Sequence, residues 1–220
     1  MLDLIGQVSP KATMQVLCIG AHCDDIEIGC GGTLRMLQEC RPKLLINWVV
    51  ASSTPERRAE TQRAMAMLVN AKQRGQLLCG EFADGLFPAH YAAIKAFFES
   101  LKSLPAPDLI LCHERDDRHQ DHRIVNEMVW NTFRDHTVLE YEIPKWDGGL
   151  GQPNFYVPLT PAQLRAKVDA LMKAYASQRR RDWFKPDTFR ALALLRGVEC
   201  RAEHGIAEAF HARKVRFAGL

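Results

Sequence analysis

Two short segments, far apart in the chain, concentrate side chains that bind cations and move protons. The first, Ala21-His22-Cys23-Asp24-Asp25-Ile26-Glu27, carries an imidazole and three carboxylates. The second, residues 112–123 (CHERDDRHQDHR), adds three more imidazoles and further carboxylates. Burying unpaired carboxylates is costly, so such a cluster is normally neutralised by a metal, another cation or a set of hydrogen bonds. Imidazoles from His22 and His122 with one carboxylate make three protein ligands. That is the open coordination of catalytic zinc, with water in the fourth place. Mixed nitrogen and oxygen donors suit zinc, and iron or cobalt also binds such a set. Asp24 and Asp25 are neighbours that point in different directions in an extended segment. One can ligate while the other takes a proton from a water whose pKa zinc lowers to about 7. His119 and His122 lie three apart, so a helix opened by Asp121 presents both to one site.

The elements that must position these residues read as a repeating strand and helix pattern. Apolar runs at residues 15–20, 44–51, 76–79 and 108–112 have the composition of buried strands. Helical patterns at 32–38, 55–69, 91–104, 121–133 and 161–175 separate or follow them. The alternation predicts an α/β fold, a doubly wound, mostly parallel, Rossmann-like sheet with a small appended C-terminal lobe. Thr54-Pro55 and Thr160-Pro161 pair an N-cap with a first helical proline, marking two helix starts. Ligands bind such sheets at the carboxyl ends of the strands, where both polar clusters fall.

After Thr137 the texture becomes strand-like (VLEYEI and NFYVPL) around a Pro- and Gly-rich loop at 144–153, followed by a helix and a short strand near 214–217. One domain over 1–220 is expected, with the Rossmann-like core over 1–136 and the lobe with a lid loop over 137–220. Glu140 and Glu142 alternate along a strand and are expected to face solvent or the lid.

Composition narrows the function classes. A formal net charge of +3 is too small to imply nucleic-acid binding. No apolar stretch approaches the roughly 20 residues of a membrane span, and residues 1–15 do not read as a secretory signal, so a cytoplasmic location is expected. Seven cysteines, with no C-x-x-C pair, argue against a disulfide framework and a thiolate zinc site. Arg179-Arg180-Arg181 reads as a solvated helix end. Assembly into a homo-oligomer is compatible with all of this.

The segments AHCDDIEIGCGGT at 21–33 and HQDH at 119–122 resemble the A-H-P-D-D-E and H-x-D-H signatures of the PIG-L/LmbE-like family of metal-dependent N-deacetylases. RRAETQRAMAMLV, the later ADGLFP, Ser177-Gln178 and AEAF at 207–210 look like further family landmarks. The resemblance implies a zinc-dependent hydrolase that removes the acetyl group from an N-acetylglucosamine-type sugar. It implies that His22, Asp25 and His122 bind the metal, that Asp24 is the general base, and that His119 stabilises the oxyanion with Asp121 orienting it. Arg57, or Arg58 in its place, and Asp84 match positions that contact sugar hydroxyls. Cys23 stands where the family has proline, and Ile26 where it often has glutamate.

Blander readings compete residue by residue. Asp116 and Asp117 read as turn residues. His113, His90, His136, His204 and His211 are isolated in the pattern and read as surface or core. A dinucleotide-binding module using Gly29-Cys30-Gly31-Gly32 fits poorly, because the third glycine of its fingerprint falls on Leu34 and no acidic residue ends the second strand. The same metal site could instead cleave a non-sugar amide or hydrate an unsaturated acid.

Overall fold

The computed structural model describes residues 13–215. Strands β1 (Met14–Gly20), β2 (Leu44–Val50), β3 (Arg74–Cys79), β4 (Leu109–His113) and β5 (Val138–Tyr141) run parallel, while β6 (Phe155–Pro158) and β7 (Ala207–His211) join antiparallel. The sheet order is β3-β2-β1-β4-β5-β7-β6. The chain order reverses between β1 and β4, so the sheet opens a crevice at their carboxyl ends.

Successive residues of β1 point to opposite faces. Val16 and Cys18 enter a core covered by α1 (Asp25–Cys40), α2 (Pro55–Leu68), α5 (Pro161–Ala174) and α6 (Pro186–Cys200). Leu17 and Ile19 enter a second core under α3 (Tyr91–Ser100) and α4 (Gln120–Thr132). Both Thr-Pro starts are as expected: Thr54 accepts from the backbone of Arg57, and Thr160 forms a full capping box with Gln163.

Three expectations need correction. The helix expected over 32–38 begins at Asp25 and kinks at Cys30. Its glycines lower helix propensity, which hid the first half from the sequence pattern. These glycines answer to packing: a Cβ on Gly29 would fall 2.3 Å from the Tyr141 ring, and one on Gly32 would fall 2.4 Å from Leu159. Beyond the kink the helix is restarted by the buried Glu208 carboxylate. It accepts from the backbone N–H of Gly32 (2.9 Å) and Thr33 (2.7 Å) and pairs with Lys167 at 2.6 Å.

Glu140 and Glu142 do not face solvent. β5 is buried along its whole length, and Glu142, one residue past it, is buried as well. Glu140 pairs with Arg213 and accepts from Trp130 Nε1, and Glu142 pairs with Arg196. The closing strand is β7, ahead of the expected 214–217, of which 216 and 217 lie outside the described residues. The segment after Thr137 thus extends the main sheet.

Candidate metal centre and active-site cavity

β1 ends at Gly20, and a tight turn delivers His22 and Asp24 before Asp25 opens α1. The Asp25 carboxylate accepts from the His22 backbone N–H at 2.6 Å, which holds the turn closed. From the neighbouring strand end, His119 caps α4 and presents His122 one turn in.

These two loops converge. His22 Nδ1 lies 3.2 Å from His122 Nε2 and 3.4 Å from an Asp25 oxygen, and His122 Nε2 lies 3.6 Å from the other Asp25 oxygen. Two ring nitrogens and a carboxylate that face one another form a donor set that can hold a cation. The 3.2 Å between the two ring nitrogens is close to the edge of about 3.3–3.6 Å in a tetrahedron with arms of roughly 2.0–2.2 Å, as around zinc. The sets His22/His119/His122, His22/Asp84/His119/Asp121 and Asp25/His113/His122 each bring donor atoms within 4.8 Å of one another, so His119 stands as a third imidazole beside His22 and His122. Asp121 is already committed, however, accepting from the N–H groups of Gly85 (2.6 Å) and Phe87 (3.2 Å). Asp84 stands largely exposed on the far side of His22, its carboxylate 3.0 Å from Nε2.

Electrostatics follow from this packing. Burial opposes the charged form of Asp25, but His122, His113 and His22 outweigh it and hold its carboxyl well below the usual range. Burial raises Asp24 despite Arg57 beside it. Burial, reinforced by His113, pushes His122 down to about 3, leaving it a neutral imidazole. Burial also works against the His22 imidazolium, yet hydrogen bonds to Asp121, Asp25 and Asp84 keep its pKa high.

Of the expected residues, His22, Asp24, Asp25, Arg57, Asp84, His119 and His122 line one cavity of about 510 Å³, and Asp121 does not. Arg57, rather than Arg58, faces it. Arg57 Nη2 lies 2.8 Å from Asp24 and Nη1 donates to Ser177, whereas the Arg58 guanidinium turns to the Cys79 carbonyl. The carboxylate of Asp121 reaches His22 Nε2 at 3.2 Å rather than the His119 ring. It is the Asp121 backbone N–H that donates to His119 Nδ1, at 3.2 Å. Cys23 is buried with its thiol pushed up to about 11 by that burial, so it stays a neutral thiol.

Three participants escaped the sequence reading. Asp117 is not a mere turn residue: buried, it lies 2.9 Å from His122 Nδ1 and pairs with Lys145 at 2.8 Å. A carboxylate behind a ligand imidazole fixes the ring and leaves the other nitrogen for the metal. His113 is not isolated: fully buried, it stacks on His122 at 3.8 Å between centroids and accepts from the Ala21 N–H. Its place at the end of β4, beside the β1 turn, was the available signal. Arg181 is the third. It lies 5.9 Å over the Trp146 ring, and Trp183 stands edge-on to Trp146 at 6.0 Å, all three at the cavity mouth.

A sequence profile described as PIG-L: GlcNAc-PI de-N-acetylase matches residues 17–133. The chain belongs to the PIG-L family. The matched segment runs from within β1 through β4, takes in both motif loops, and ends just past α4.

Solved structures share the fold beyond that segment. A conserved protein from Thermus thermophilus matches with a TM-score of 0.72 and 21% identity, over 93% of this chain and 97% of that one. N,N'-diacetylchitobiose deacetylase from Pyrococcus horikoshii gives 0.69 and 20%, over 93% and 85%. The 4-carboxy-2-hydroxymuconate hydratase from Pseudomonas putida gives 0.70 and 15%, over 94% and 99%. At these identities the likeness is one of fold, and that fold carries both deacetylase and hydratase proteins. Among the described residues no helix is long and apolar enough to cross a membrane.

Proposed function

We propose that the chain is a zinc-dependent N-deacetylase acting on an N-acetylglucosamine-type sugar joined to a second group, with 1–220 acting as one catalytic domain. The observation that carries this is the triangle of His22, Asp25 and His122 donor atoms, with the buried Asp24 carboxylate beside it in the same cavity. Bound there, zinc or a similar divalent ion would lower the pKa of a water to about 7 and polarise an acetamide carbonyl.

The residues of the chain supply the rest. Asp24, made more basic by burial, takes the proton of the attacking water and returns it to the departing amine. His119 accepts the Asp121 N–H at Nδ1, so its neutral ring carries the proton on Nε2. It can donate that proton as a hydrogen bond to the carbonyl oxygen as charge develops. Arg57 holds Asp24 in place, and Asp84 offers an exposed carboxylate to sugar hydroxyls. The cavity volume suits a ligand larger than one ring. Trp146, Trp183 and Arg181 at its mouth form an aromatic and cationic seat for the group beyond the sugar.

The test is acetate release by the zinc-loaded protein from N-acetylglucosaminyl compounds carrying varied second groups. Acetate from a sugar substrate but from no simple amide supports the reading. Turnover only of an unsaturated acid, without acetate, overturns it in favour of hydration.

A further inference from the structure

Helix α6 turns two opposite faces to its surroundings. Phe189, Ala193, Arg196 and Gly197 are buried against α5 and the β6–β7 edge. On the other side Ala191, Leu194, Leu195 and Val198 are exposed, with Leu194 and Leu195 at 51% and Val198 at 73%. Their spacing of i, i+3, i+4 and i+7 makes a continuous apolar stripe, the pattern of a helix seam that meets another helix. Contiguous apolar surface of this kind marks an interaction site, whereas scattered single residues do not.

The ends of the stripe say what it fits. Asp187, one turn before Ala191, is an exposed acid that also lies 3.2 Å from Arg190, and Arg201, just past Val198, is an exposed base. The positions 187, 191, 194 and 198 step by four and three along the helix, and its C-cap Arg201 follows three further on, so the charges seven residues either side of Leu194 are opposite. A reversed copy of the same helix therefore sets Asp187 against the partner subunit's Arg201 and Ala191 near the partner subunit's Val198. Leu194 meets its own equivalent at the axis. An interface that repeats each contact twice about a two-fold axis is the closed arrangement commonest among homo-oligomers. We propose that the chain forms a two-fold dimer through antiparallel pairing of its α6 helices.

Sedimentation of the full chain over a rising concentration series tests this. The mass is expected to climb from 24.9 kDa toward twice that value. Leu194→Glu with Val198→Glu should hold it at 24.9 kDa throughout, with an unchanged circular dichroism spectrum because both side chains are exposed. Asp187→Arg alone should weaken association by about tenfold, and adding Arg201→Asp should restore it, since the paired charges set register. A wild-type mass that never rises, a dimer that survives the two glutamates, or a double swap that fails to restore would each overturn the proposal. So would a full chain that stays monomeric until residues 2–12 are deleted, which would assign the stripe to the chain's own start.

Discussion

Asp117 lies 2.9 Å from Nδ1 of His122 and fixes which nitrogen of that ring faces Asp25 and His22. Lys145, on the loop that also carries Trp146, holds the Asp117 carboxylate from the other side at 2.8 Å. The candidate metal centre is thereby tied to the segment that carries Trp146.

Asp117→Asn should therefore weaken zinc binding by about 10–100-fold, the usual cost of losing such a supporting carboxylate. Competition against a chromophoric chelator reads this directly, and wild-type affinity in the variant would show that His122 needs no orienting partner.

Asp24→Asn should keep its zinc and lose about 10²–10⁴ of kcat, the usual scale of general acid–base catalysis. Metal content and initial rates, measured on the same preparation, separate this from loss of the site. Asp25→Asn, by contrast, should lose the metal.

Trp146→Ala should raise KM for a sugar bearing a ring-shaped second group and leave free N-acetylglucosamine unaffected. Trp146 is 67% exposed, so the fold should tolerate the change. Equal effects on both substrates would remove Trp146 from substrate recognition.

Glu27 is fully buried, with one carboxyl oxygen on Tyr175 and the other without a partner, and burial pushes its pKa up to about 8 from 4.5. Between those values the folded state holds a proton that the unfolded state has lost. Stability should fall across that window as pH rises, by roughly 1.4 kcal/mol per pH unit for one proton, and level off above it. Glu27→Gln should flatten that part of a denaturation-against-pH curve, and an unchanged slope would assign the decline elsewhere.

Gly29→Ala places a Cβ 2.3 Å from the Tyr141 ring, in a core with no slack. The cost should be about 1–3 kcal/mol or more of stability, visible as a lower urea midpoint.

Much of this site was legible because its principal residues sit in two short local patterns at the ends of recognisable strands. The parallel core followed from the same alternation, and the crevice between β1 and β4 lies where both patterns begin. His113 and Asp117 were hidden because their roles depend on which way a side chain leaves the end of β4 and the loop beyond it. Glu140, Glu142 and Glu208 were hard to place because a buried carboxylate is recognised only by its partner. Those partners, Arg213, Arg196 and Lys167, are at least 41 residues away in sequence. The first half of α1 was hidden for a different reason, since packing on Tyr141 overrides the poor helix propensity of its glycines.

The carboxylate that restarts α1 beyond its kink comes from a strand 176 residues downstream of Gly32. During synthesis that helix emerges early and waits for its missing acceptor until β7 has left the ribosome. The last strand of the sheet therefore closes a structure begun at the first, and a nascent chain halted before Glu208 leaves those N–H groups and Lys167 without their shared partner.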